Sequence, residues 1–269
     1  MYLSPFFVDI LEGMSKEQDK HNKLILSQFS KQAVPFSKKV PAHANQAAFN
    51  LIIRTAGINK RDTVLDVACG PGMLSAALAQ KARQVTGIDL VPKMLRQARE
   101  LQRDKKLSNM DWVKGDVARL PFAKASFSAV VTRFSFHHFL KPSIVLQEMV
   151  KVATPHGKVV VVDMFTKSQA HSRLLNLLEK LRDDSHVKAL SLPELQDMMR
   201  RRGLRHLKTR FYRLQIELEK QISASFPKPG DADKIRQLVK DDKKGLASVR
   251  RKNTFYLVYP IAIIVGEKD

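Results

Sequence analysis

Apolar and polar positions along this chain change rhythm in a way that lays out its elements. Residues 63–67 (TVLDV) are a nearly unbroken apolar run, the pattern of a parallel strand covered on both faces. Residues 72–82 are rich in Ala and Leu and predict a helix. Residues 85–88 predict a second strand ending at Asp89, and 92–107 a helix with a basic outer face. The alternation continues with strands at 110–113 and 127–132, a helix at 144–152, a turn at 155–157 and a strand at 158–163. Strands alternating with helices imply right-handed crossovers. The predicted fold is therefore α/β and doubly wound, with helices on both faces of a mostly parallel, seven-stranded sheet.

The flanks are patterned differently. Leu3, Phe6, Phe7, Ile10 and Leu11 fall near helical spacing, residues 17–23 are polar, and an apolar face resumes at 24–29. Phe29 and Phe36 follow, seven apart around Pro35. Pro41 suits the first turn of a helix whose buried side is Phe49, Leu51, Ile52, Ile53 and Ala56, with Gly57 as its C-cap. After residue 163 comes an apolar-striped helix at 174–181 and the polar segment RDDSHVKAL. Ser191, with Glu194 three residues on, makes a capping box for a helix ending near Arg202. A strand is expected within 204–216, helices at 218–226 and 232–239, and a final antiparallel strand at 255–265, where Pro260 implies a bulge or an edge. Residues 1–45 read as a helical lid or extension. Residues 46–269 read as one α/β domain with a lid insertion at about 164–201.

Composition narrows the class. A chain of 269 residues, 44% hydrophobic and 27% charged, holds enough material for one large α/β domain. The single cysteine, Cys69, excludes an internal disulfide and multi-cysteine zinc patterns and fits a reducing compartment. The expected location is cytoplasmic. No run approaches the roughly 18 uncharged apolar residues of a membrane span. Residues 1–14 carry Asp9 and Glu12 without a basic lead, unlike a secretory signal. An amphipathic helix that covers a site, or touches a membrane surface peripherally, fits them better. The formal net charge of +21 favours polyanions of any kind, so nucleic acid stays open as a partner.

The first apolar strand runs into ACGPG, residues 68–72, and then a helix start. Gly70 and Gly72 let a ligand approach the backbone, and the N–H groups of the following helix are electropositive. A dinucleotide enzyme would add a third glycine three residues beyond the second; that position here is Ser75. Asp89, 19 residues beyond Gly70, suits a ribose diol. These residues point to an adenosine-like ligand, with a nicotinamide dinucleotide still open.

The segments LDVACGPG, GIDLVPKMLRQAR, GDVARLPFAKASFSAV and FSFHHF together resemble the class I S-adenosylmethionine-dependent methyltransferases. The nearest pattern is the small-molecule group that includes the ubiquinone and menaquinone biosynthesis enzymes. The resemblance is strong over residues 64–163. It implies S-adenosyl-L-methionine as methyl donor, S-adenosyl-L-homocysteine as product, no metal, and transfer to a small or lipidic organic acceptor, on oxygen or carbon, by in-line displacement. It implies Asp66 near the methionine amino group, Gly70 and Gly72 beside the methionine and ribose, and Asp89 on both ribose hydroxyls. It further implies Leu90 against the adenine, Asp116 on the adenine amino group, Val117 offering a backbone N–H to the ring, and Arg133 beside the methionine portion. Two positions depart from the pattern: Ala68 stands where glycine is commonest, and Phe36 where tyrosine is frequent.

His137 and His138 follow the strand that opens onto the reacting sulfur. A histidine there can take a proton from a phenol, an enol or an acidic carbon, or it can orient the loop. His186, in DDSH, is a third candidate. Phe134, Phe136 and Phe139 line either a flat apolar cavity or the core, and Asp163 ends the fifth strand, on the face where α/β sites form. Two other readings compete: RNA or another nucleic acid as acceptor, supported by the charge and by basic runs at 199–213 and 250–252, and a non-catalytic S-adenosylmethionine-binding role. Monomer and homodimer are both compatible with the sequence.

Overall fold

The apolar run at residues 63–67 forms β1 (Thr63–Val67), the strand from which the sheet grows both ways. The computed structural model describes residues 5–39 and 45–269, with side chains described for 16–35 and from 45 onward. Around β1 lie β2 (Gln84–Asp89), β3 (Met110–Lys114), β4 (Phe127–Arg133), β5 (Ala153–Met164), β6 (Leu204–Glu217), β7 (Ser248–Arg251) and β8 (Thr254–Lys268). The sheet order is β3-β2-β1-β4-β5-β8-β6, with β7 pairing on β8 off that path. The first five strands are parallel, and β8 runs antiparallel to both β5 and β6. Neighbouring residues of one strand serve opposite sides: Val64 joins one apolar cluster and Leu65 the other. Both faces of the sheet are thus covered, and for that reason β1 reads as continuous apolar sequence.

One face carries α2 (Gln46–Ala56), α3 (Met73–Ala79), α6 (Gln169–Arg182), α8 (Leu218–Ser225) and α9 (Asp231–Asp241). The other carries α5 (Pro142–Val152) and α7 (Leu192–Arg201). Helix α4 (Pro92–Asp104) packs by β3, and α1 (Pro5–Lys39) lies against α4 and α8. Capping is local chemistry. The Asn45 side chain accepts from the N–H groups of Ala47 and Ala48, Gly57 closes α2 in the left-handed region, and Ser191 and Glu194 form the expected capping box. Pro41, Phe36 and the apolar stripe from Leu3 to Leu11 lie outside the described side chains.

Three features differ from the sequence reading. An eighth strand, β7, forms a hairpin with β8; its four residues SVRR are half charged and half exposed, so it carries no apolar signal. Pro260 is neither at an edge nor in a bulge: it lies in β8 between two partners, where pairing with β5 has just ended at Met164–Ile261. Its carbonyl accepts from Phe165 N–H, and its missing donor falls beyond the end of that ladder. Finally, α1 is one helix rather than two apolar pieces around a polar break.

Candidate active site

The order of the sheet reverses between β1 and β4, and ligands of open α/β sheets bind beyond the carboxyl ends of the strands at such a point. A cavity of about 190 Å³ lies there. Its floor is the loop after β1. Gly70 has φ +55°, and a Cβ on it would meet nothing within 4 Å, so its backbone stands open to the cavity it lines. Gly72 is required for another reason. It does not line the cavity, and a Cβ there would lie 2.7 Å from Trp112 Cη2 and 2.9 Å from Ala98 Cβ. Gly72 serves close packing of the loop on β3 and α4, a correction to its expected place beside the ligand. Ala68 also adopts a left-handed φ of +55°. That conformation costs an L-residue about 1–2 kcal/mol, partly offset by glycine's greater freedom when unfolded. Ala68→Gly should therefore stabilise the protein by about 0.5–1 kcal/mol in urea denaturation.

Asp66, Leu90, Asp116, Val117 and Arg133 all line this cavity, as does Asp89. Asp89 Oδ2 accepts from Gly70 N–H and Oδ1 from Val91 N–H, both at 2.8 Å, so one carboxylate joins the glycine loop to the start of α4. Ser75, in the position of the absent third glycine, donates to Asp66 Oδ2 at 2.5 Å. Asp116 accepts from Ala118 N–H and from the Asn22 side chain, each at 2.8 Å. The Arg133 guanidinium lies 4.0 Å from the centre of the Phe134 ring. Burial raises Asp66 to about 7, against the Ser75 hydrogen bond and Arg133, and raises Asp89 to about 6, against its backbone donors.

These shifts set a pH dependence. Both carboxylates titrate above their unfolded value of about 4, so their favourable contribution to stability is fully present below pH ~4 and lost as pH rises through ~6–7. A ligand that brings positive charge and hydroxyl donors recovers the cost. The rise in melting temperature produced by S-adenosylmethionine should therefore grow between pH 5 and pH 8.

Helix α1 supplies one wall, through residues that the sequence reading did not name as part of the site. Gln18, His21, Asn22, Ile25 and Phe29 line the cavity. His21 Nε2 donates to the His138 carbonyl at 2.6 Å. Within the polar stretch at 17–23, Gln18, His21 and Asn22 turn toward the cavity and its Asp116 carboxylate.

A smaller cavity of about 50 Å³ adjoins the first, and Phe29, Phe134 and His138 line both. Here the insertion contributes, through Glu179, Arg182 and Asp183, whereas none of its residues lines the larger cavity. His137 lines the smaller cavity and pairs through Nδ1 with Asp163 Oδ1 at 2.6 Å. A carboxylate only accepts, so Nδ1 carries the proton and Nε2 is the atom left to a substrate. Burial alone would lower the His137 pKa, but the charge and hydrogen bond of Asp163 leave it raised. His138 is the opposite case. Burial, with His137 beside it, lowers it to about 4. Its Nδ1 lies 3.1 Å from Ser185 Oγ, which itself donates to Asp183.

His186 lines neither cavity. Its Nε2 bonds Asn176 Oδ1 at 2.8 Å and burial lowers it to about 3, which corrects its candidacy as an acid or base. Of the three phenylalanines, Phe134 and Phe139 line the larger cavity, while Phe136 belongs to the core.

His137, Glu179 and His186 bring ligand-type atoms within 4.8 Å of one another. The Glu179 carboxylate is already held by Arg182 Nη2 at 2.5 Å and by the Tyr259 hydroxyl at 2.8 Å, and the guanidinium charge opposes a cation. The group fits a buried ionic network better than a metal centre. The basic run at 199–213 falls on the end of α7 and on β6, the outermost strand, where Arg205, Lys208, Arg210 and Arg213 are exposed. Charges on a long edge strand discourage pairing with another chain, and none of these four lines either cavity. Among the described residues, no helix is long and apolar enough to cross a membrane.

A doubly wound sheet of this order, with an acid-lined cavity where its order reverses, has the architecture of the class I methyltransferases. A family described as a methyltransferase domain matches residues 65–161, and the protein is an S-adenosylmethionine-dependent methyltransferase. An uncharacterized methyltransferase, YcgJ, of Bacillus subtilis is 27% identical over 207 residues, covering 74% of this chain and 81% of the relative. The crystal structure of YcgJ superposes with a TM-score of 0.76 at 23% identity, covering 83% of this chain and 99% of that one. A demethylmenaquinone methyltransferase of Deinococcus radiodurans is 42% identical over 102 residues. That match covers 37% of this chain and 42% of the relative, so the chain spans less than half the length of that enzyme.

Proposed function

We propose that the protein methylates an oxygen or carbon of a small organic acceptor, with S-adenosylmethionine in the larger cavity and the acceptor's reacting atom presented to His137 at the smaller one. When bound, S-adenosylmethionine supplies an electrophilic methyl group whose bonding pair leaves on sulfur. The residues of the chain do the rest. Asp66, Asp89 and Asp116 offer carboxylates to the ligand's ammonium, ribose and adenine donors, and the open backbone at Gly70 admits it closely. The helix α1 wall excludes water from both cavities.

The observation that carries the reading is the buried His137–Asp163 pair, whose histidine lines the smaller cavity. His137 Nε2 takes the acceptor's proton as the new bond to the methyl group forms, and Asp163 stabilises the resulting imidazolium. His138, held near 4, is the weaker base of the two. The relatives named demethylmenaquinone methyltransferases support a quinone-type acceptor.

The test is transfer of isotopically labelled methyl from S-adenosylmethionine to a set of simple phenols and hydroquinones. His137→Asn should lower turnover about a hundredfold while cofactor affinity by calorimetry stays within a factor of a few. Equal turnover in the variant would remove the base assignment.

A further inference from the structure

The acid-lined cavity makes no use of the net charge of +21. Part of that charge is gathered on the outside of α1. At 3.6 residues per turn, Gln18, His21, Ile25 and Phe29 share the face of α1 that lines the site. Lys16, Lys20, Lys23 and Lys31 fall on the opposite face, and all four are exposed. Leu24 and Val34 are exposed on the same side, at 38% and 45%. Glu17 and Asp19 border that face, and no carboxylate of residues 16–35 lies within it.

A groove of about 520 Å³ continues this surface toward α4 and the end of α8. Lys31 and Val34 line it from α1, Lys93 and Arg96 from α4, and Phe226 from just past α8. Its one lining carboxylate, Glu100, already accepts from Gln97 Nε2 at 2.7 Å. Phe226 is 46% exposed and holds a left-handed φ of +56°, a backbone that Gly or Asn would suit better. Six large apolar side chains are exposed among the described residues, and Leu24, Val34 and Phe226 are three of them. Single exposed apolar side chains are ordinary, but a group of them set among cations marks a contact surface.

We propose that this surface docks the protein on an anionic membrane, with Leu24, Val34 and Phe226 entering the headgroup layer and the cations meeting lipid phosphates. A lysine acts there as a point charge whose aliphatic stem lies along apolar matter, and aliphatic neighbours add burial. Nucleic acid suits the surface less well. Fixed phosphates favour the arginine fork, and unpaired bases favour aromatic platforms. Here five of the six cations are lysines, and two of the three apolar side chains are aliphatic. The contact is peripheral, because no described helix is long and apolar enough to cross a membrane. The inference does not rest on the acceptor or on His137. Since the other face of α1 walls the cofactor cavity, docking would set that cavity at the membrane surface.

Co-sedimentation with vesicles of phosphatidylcholine mixed with phosphatidylglycerol is the test, with phosphatidylcholine alone as the neutral comparison. The protein should sediment with the anionic vesicles only. Each lysine at such a surface raises affinity about fivefold, so the triple variant Lys23→Gln, Lys31→Gln, Lys93→Gln should bind about a hundredfold more weakly. Its melting temperature should not change, since these side chains are exposed. A second triple variant, Lys208→Gln, Arg210→Gln, Arg213→Gln, removes the same charge from the edge strand β6 and should bind as the wild type does. Leu24→Ser with Phe226→Asn should lose the binding that persists at high salt, which screens charge and leaves apolar burial intact. Equal weakening in the two triple variants would mean that net charge alone drives binding, and would overturn the proposal. So would equal binding to neutral vesicles, or no sedimentation with either kind. If vesicles fail and a single-stranded RNA oligonucleotide binds, with that binding lost in the first triple variant, nucleic acid is the partner of this face instead.

Discussion

Asp89→Ala should weaken S-adenosylmethionine binding by about two to four orders of magnitude in titration calorimetry. The carboxylate is buried on the cavity wall, and its oxygens are already bonded to Gly70 N–H and Val91 N–H. Each oxygen has a second acceptor position, and these suit the two hydroxyls of a ribose. A hydrogen bond to a charged group contributes about 1.5–3 kcal/mol. Two of them amount to about 3–6 kcal/mol, at about 1.4 kcal/mol for each tenfold. Alanine would also release both backbone donors and loosen the glycine loop that α4 now steadies. Asp89→Asn keeps an acceptor and should lose less. A loss of affinity below tenfold would count against the ribose assignment.

What was legible in the sequence follows from how each signal is written. The parallel strands were readable because burial on both faces leaves no polar alternation, as in β1. The place of Asp89 at the end of β2 was readable because a strand's end is written locally. Ser191 and Glu194 were readable because a capping box is local. Pairings between distant residues were not. Choosing between His137 and His138 required Asp163, which lies 26 positions on in the chain. The role of Gly72 required knowing that Trp112 packs against it. The segment RDDSH read only as polar, yet Arg182, Asp183, Ser185 and His186 are all buried, with partners such as Gln32 and Ser225 on other elements. Charged residues read as surface unless their partners are seen, and these partners are scattered over almost two hundred positions.

Arg182→Met tests that buried network, and it should lower the unfolding free energy by about 3–5 kcal/mol in urea denaturation at pH 7.5. Arg182 is 5% exposed, while Glu179 and Asp183 are each 1% exposed. Its Nη2 donates to Glu179 Oε2 at 2.5 Å, its Nε lies 3.2 Å from both Glu179 oxygens, and its Nη1 donates to Ser225 Oγ. Against the burial that would raise them, the guanidinium chiefly holds Glu179 near 2, and His138 followed by the guanidinium holds Asp183 near 2. In the wild-type protein this contribution is present above the unfolded carboxylate value of about 4 and lost as pH falls toward 2. Methionine fills much of the volume but leaves two buried carboxylates facing each other. Burial then raises their pKa values above the unfolded range, so the sign of the dependence reverses and the variant loses stability as pH rises. The gap between wild type and Arg182→Met should therefore be smaller at pH 5 than at pH 7.5. Adding Glu179→Gln removes one of the stranded charges and should restore part of the loss, a coupling that an exposed ion pair would not produce. A loss under 1 kcal/mol, unchanged between the two pH values, would mean that Arg182 is solvated and that this network does not hold α6 to the site.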